Sequence, residues 1–181
     1  MAYPHADKLI EKLWPSNTAG DTSLYAILDG ARNDDIYPAV MDSQCEFECL
    51  YMGELEPDVA ESAPYLIKLE RDKPFTEWLL KEGWGDSWGI YVQTNLGMRE
   101  LRRHFRKFLM VYDPEHKPLY FRYYDPRVLR IYLPTCNAEE LGIVFGQIKN
   151  YILEDQNPEV LLRFANNSGT LAIETTGVTR Q

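Results

Sequence analysis

Leu24-Tyr25-Ala26-Ile27-Leu28 is an uninterrupted apolar run closed by the turn pair Asp29-Gly30. A run this short, bounded by turn residues, predicts a buried strand. Tyr65–Leu69 (YLIKL) and Trp88–Thr94 (WGIYVQT) read the same way, and Phe47–Met52 is a further strand candidate. Helical signals separate them. Asp34 and Asp35 can open a short helix reaching Met41, and Pro74–Lys81 (PFTEWLLK) starts with Pro and has Gly83 past its end. Upstream, Leu9, Ile10, Leu13 and Trp14 are spaced as one helix face over Pro4–Trp14, with Pro15 as the stop.

Downstream, Gly97–Lys107 is the clearest amphipathic helix. Leu101, Phe105 and Phe108 form its apolar stripe. Short strands are expected near Phe108–Tyr112 and Leu119–Arg122, joined by the turn Asp113–Pro118. Asp125-Pro126 is an N-cap followed by Pro at the first helical position, so a helix runs from Pro126 to about Tyr132. Ala138–Phe145 is helical, and Ile148–Leu153, Val160–Phe164 and Thr170–Thr175 are the last strands. Strands alternating with helices predict an α/β fold, a mixed β-sheet flanked by helices in a single compact domain. The expected divisions are an N-terminal helix and loop over 1–21, a core over 22–155, and a short C-terminal extension over 156–181 whose strands pack on that core.

At 181 residues and 21.1 kDa, one domain can bury its own core without staples. No apolar run approaches the roughly 20 residues that cross a bilayer, so no membrane insertion is expected. Asp7, Lys8, Glu11 and Lys12 interrupt the first segment where a signal peptide needs apolar residues. With three cysteines, reduced thiols in the cytoplasm are the simplest expectation.

Charge is unevenly distributed. The chain carries −9 overall, which disfavours phosphate contact and argues against nucleic acid. Residues 1–98 hold 7 basic and 18 acidic side chains, residues 99–130 hold 9 and 4, and residues 131–181 hold 3 and 6. An acidic body with one basic segment suits oriented docking onto a partner.

Catalytic and metal motifs are weak by comparison. Gly85-Asp86-Ser87-Trp88-Gly89 matches G-x-S-x-G, but a nucleophile elbow needs a strand before the serine and a helix after it. Here the order is reversed, and His104 and His116 lie in unsuitable places. Cys45, Cys49 and Cys136 lack the second tight pair of a zinc site, and no phosphate-cradling glycine loop appears. No metal or cofactor is expected, and no catalytic residue is assigned.

Two features outlast this filter. Arg99, Arg102, Arg103 and Arg106 recur on one face of the basic helix. Arg122-Tyr123-Tyr124-Asp125-Pro126-Arg127-Val128-Leu129-Arg130 gathers Arg122, Arg127 and Arg130 with Tyr123 and Tyr124 at a helix start. Arg and Tyr dominate interface anchors, so these residues are the expected protein-binding set. An internal Arg–Asp network locking the turn is the competing reading. If the helix face is free, reversing Arg102, Arg103 and Arg106 to Glu abolishes binding and leaves the fold intact.

Taken in order, LYAILDGAR, GELEPDVAESAPYLIKL, GWGDSWGI, LRRHFRKFL, LYFRYYDPRVLRIYLPT and EELGIVFGQI resemble the type VI secretion effector adaptors, also called effector chaperones. The resemblance spans about Leu24 to Glu154, and the YDPRVL and YLPT elements carry most of it. Members are typically encoded between a VgrG spike gene and a toxic effector gene. The resemblance implies a non-enzymatic cytoplasmic adaptor that binds its cognate type VI effector and helps load it onto VgrG. The alternatives are a small hydrolase using Ser87, or an anion- or nucleotide-binding module built on the arginines.

Overall fold

The computed structural model describes residues 6–15, 20 and 22–179. Helix α1 (Ala6–Leu13) precedes the central strand β1 (Ser23–Asp29), followed by a 3₁₀ turn (Gly30–Arg32) and α2 (Ile36–Asp42). The chain continues through β2 (Phe47–Cys49), α3 (Pro57–Ser62), β3 (Pro64–Leu69), α4 (Pro74–Glu82) and β4 (Gly89–Thr94). It then forms α5 (Met98–Arg106), the hairpin β5 (Met110–Tyr112) and β6 (Pro118–Tyr120), α6 (Pro126–Tyr132) and α7 (Ala138–Phe145). Three strands finish it: β7 (Ile148–Glu154), β8 (Val160–Asn167) and β9 (Thr170–Gly177). The expected helix over Pro4–Trp14 thus appears as α1, while Pro4 and His5 lie outside the described residues.

Seven strands form one sheet in the order β2-β3-β1-β4-β7-β8-β9. The expected α/β domain with helices flanking a sheet is present. Its six ladders are all antiparallel, so the mixture lies in the elements and not in strand direction. Strands β8 and β9 extend the same sheet by consecutive hairpins.

Both faces of the sheet are covered, which explains the missing polar alternation in the inner strands. Leu24, Ala26 and Leu28 of β1 join Ile67 of β3 in one core with α1, α2 and α4. Tyr25 and Ile27 face the other way, with Leu66, Val92 and the buried stripes of α5, α6 and α7. The result is three layers with helices outside. Strand β4 begins with glycine for a steric reason. A Cβ on Gly89 would lie 2.1 Å from the Ile27 carbonyl oxygen.

Several polar groups inside this frame are paired, while Arg32 Nε and Arg102 Nε are buried without a hydrogen-bond partner. Gln93 Nε2 donates to the Leu13 carbonyl (2.8 Å), and Arg163 Nη2 donates to Lys12 (2.8 Å), so the last carbonyls of α1 have partners. His104 on α5 is half-buried, and its Nε2 lies 2.9 Å from the Val144 carbonyl on α7. Burial pushes the His104 pKa below its ordinary value; the bond to the Val144 carbonyl opposes that shift and the charge of Lys107 adds to it.

A depressed histidine pKa makes stability highest above the unfolded value of about 6.5, and stability falls as pH drops toward the folded value. Thermal melts from pH 7.5 to 5 are therefore expected to show a larger loss for the wild type than for His104→Leu. Parallel pH curves for the two proteins would show that His104 is not titrating against the fold.

Candidate docking surface at one end of the sheet

Antiparallel pairing brings the end of β1, the start of β4 and the end of β7 to the same edge. Leu28 is opposite Gly89, and Tyr91 is opposite Ile152. Asp29 pairs in register with Pro64, whose carbonyl accepts from Leu50 just after β2. Residues far apart in sequence therefore converge on one sheet end.

Three buried carboxylates lie there: Asp29, Asp125 and Glu154. Each is fully engaged, as buried charge requires. Asp29 accepts from the Ala31 N–H (3.1 Å) and is paired with Arg122. Asp125 caps α6, accepting the Arg127 N–H at 2.9 Å, and its two oxygens receive Arg127 Nε and Nη2, the latter at 2.6 Å. Burial pushes the Asp125 pKa up, but the bonds from Arg127 outweigh it and hold the carboxyl below its ordinary range. Arg122 and Arg127 are driven upward first by their hydrogen bonds to Asp29 and Asp125. Arg130 Nη1 approaches the Glu154 carbonyl (3.4 Å), and Arg32 Nη2 donates to the Asp86 carbonyl (3.0 Å).

The chemistry left over is directional. Arg122 and Arg127 leave nearly half of their side-chain surface in solvent, while their acidic partners are almost completely covered. Each guanidinium is thus anchored from behind, and its five N–H donors exceed what the paired carboxylate uses. Such a group suits carboxylates on a partner.

Not all of the expected set is on this surface. Tyr123 is buried, donating its hydroxyl to the Phe105 carbonyl (3.1 Å) and stacking on the Phe105 ring at 5.6 Å. Tyr124 is also buried, its hydroxyl bonded to that of Tyr51, and burial drives its pKa far upward. On α5, Arg106 donates to the carbonyls of Leu50 (3.0 Å), Cys49 (3.2 Å) and Tyr51 (2.9 Å). Arg102 is paired with Glu48 at 2.9 Å. Arg99 and Arg103 are exposed and make no ion pair among the described residues. The internal Arg–Asp network and the outward arginines are therefore parts of one arrangement. Reversing Arg102, Arg103 and Arg106 together now carries a different expectation, because Arg106 holds the backbone that follows β2.

The Gly85–Gly89 segment forms a tight turn with Gly85 at φ 94° and Ser87 at φ 57°. Ser87 is nonetheless buried, and its Oγ donates inward to Glu154 at 3.2 Å. Glu154 also accepts the Ser87 N–H (2.9 Å) and the Gly85 N–H (2.5 Å). Burial raises the Glu154 pKa, and these donors oppose the rise. This carboxylate was not singled out in sequence. A lone Glu ending an apolar strand, opposite a glycine-bounded turn, was the only signal available. The cysteines are unpaired thiols, and no cluster of three or more His, Cys, Asp or Glu fit to hold a metal occurs among the described residues. No helix among them is long and apolar enough to cross a membrane.

Residues 24–142 match the model of one protein family, the domain of unknown function DUF4123. That span is well over half of the chain, and the protein belongs to this family. No curated protein and no solved structure matches it.

Substitutions separate the anchoring arginine from the free ones. Arg106→Ala strips donors from three carbonyls and is expected to cost about 1–3 kcal/mol. Arg99→Glu and Arg103→Glu are expected to stay within about 0.5 kcal/mol of wild type in urea unfolding. Equal midpoints for all three variants would remove Arg106 from the frame.

Proposed function

We propose that this protein is a non-enzymatic cytoplasmic adaptor that binds a type VI secretion effector and helps load it onto the VgrG spike. The observation that carries the reading is the pair of half-exposed arginine side chains, Arg122 and Arg127, each backed by a buried carboxylate. A preanchored arginine loses less side-chain freedom when a partner docks, which favours binding without chemistry. The sequence resemblance to effector adaptors supplies the identity of the partners. Charge segregation supports the same reading, because a basic strip on an acidic body orients an incoming partner. The buried, inward-bonded Ser87 hydroxyl gives the hydrolase alternative no comparable support.

Co-expression with the products of the two neighbouring genes, followed by size-exclusion chromatography, tests this. A stoichiometric complex with the effector or VgrG is expected. Arg99→Glu combined with Arg103→Glu, and separately Arg127→Ala, should weaken it by about tenfold, the first with reduced salt dependence. Absence of any complex with folded wild-type protein would sink the adaptor reading.

A further inference from the structure

Beside the arginine rim lies an open apolar groove of about 420 Å³ lined by Tyr51, Met52, Leu55, Val59, Met110 and Tyr120, with Arg106 in its wall. One side is the loop from β2 into α3, and the other is the β5–β6 hairpin. That hairpin is unusual in its own right. It consists of two strands of three residues, and all six residues are exposed. Register places Met110 opposite Tyr120 and Tyr112 opposite Pro118 on one face, leaving Val111 and Leu119 on the other. The ribbon is therefore apolar on both faces. Tyr112 is 67% exposed, Leu119 50% and Tyr120 68%, and Met52 across the groove is 75% exposed. A two-stranded ribbon is marginal without a further strand or packed element, and contiguous apolar exposure of this kind marks an interaction surface.

Charge indicates what covers it. The two walls differ in sign: residues 99–122 carry seven Lys and Arg against three Asp and Glu, whereas the opposite loop carries the exposed Glu54, Glu56 and Asp58 and no basic residue. Arg106 lines the groove, and Arg122 is close enough to Tyr51 in its wall to offset part of the rise that burial gives that hydroxyl's pKa. Met52 and Met110 supply flexible thioethers that adapt to an irregular apolar surface. We infer that the groove holds an apolar segment of a partner protein, with carboxylates on the flank facing Arg106 and Arg122 and none on the flank facing Glu54, Glu56 and Asp58. This deepens the adaptor reading and rests on it for the identity of the protein that supplies the segment.

The test uses the full chain. Products of the two neighbouring genes are co-purified with wild type and with Met52→Glu/Tyr120→Glu, whose substitutions are at exposed positions and whose melting is checked against wild type. The double variant is expected to lose about tenfold or more in affinity for one partner. Equal retention overturns the groove and leaves the adaptor reading standing. If wild type retains neither product, the adaptor reading fails, and fluorescence anisotropy decides the groove. The probes are two helical peptides of about 16 residues, with leucines at helical spacing and either glutamate or lysine along one flank of the leucine stripe. A preference of about tenfold for the glutamate peptide, lost in the double variant, is expected. Equal binding, or none, overturns the proposal. So does a wild-type dimer in sedimentation velocity that the double variant dissolves, because the occupant is then a second copy.

Discussion

Asp29 ends a strand that is buried on both faces, and its carboxylate is compensated by Arg122, which arrives from more than ninety residues away. The rest of the sheet end depends on this pairing. An unpaired carboxylate at that depth would be strongly disfavoured. Once Arg122 is committed to Asp29, Tyr123 and Tyr124 turn into the core and Asp125 is left at the start of α6. Asp125 in turn fixes Arg127. One charge constraint thus positions the whole Arg122–Arg130 segment, including the groups that still face water.

The same constraint accounts for the location of the polar chemistry. A sheet covered by helices on both faces has no room for ionised groups along its middle, so they gather where strands end. Asp29 and Glu154 terminate the strands on either side of β4, and Gly85–Ser87 closes over Glu154 through backbone N–H groups. Glu154 is neutralised by dipoles and Asp29 by a cation. The first solution buries the Ser87 hydroxyl, and the second leaves an arginine side chain half outside. That difference makes one side of the sheet end inert in appearance and the other a candidate for docking.

Much of the fold was legible because the inner strands carry unbroken apolar runs and the helices carry their own stop and start signals. Asp125-Pro126 and Pro74 marked helix starts that the structure reproduces. Helix α3 was not legible, since PDVAES has no apolar stripe and buries none of its residues. Strand directions were not legible either, because apolar runs do not say which neighbour a strand meets. At the site, spacing placed Arg99, Arg102, Arg103 and Arg106 on one side of a helix, but could not show that Arg106 reaches the carbonyls of residues 49–51. Those acceptors lie more than fifty residues earlier. Tyr123 and Tyr124 were read as anchors for a partner and serve as anchors for the core, a distinction that composition alone does not draw.

Internal and external roles of the arginines are compatible on energetic grounds. A surface arginine that must be ordered by its partner gives up rotamer freedom on binding, whereas one already held by a buried carboxylate gives up little. Stability and recognition then draw on the same contact. The groove differs, because its hairpin has few internal contacts of its own and both of its faces are apolar. A rigid charged edge beside an adaptable apolar ribbon divides the work of recognition. The edge orients an acidic partner during encounter, and the ribbon contributes affinity through the apolar area it loses to solvent on docking.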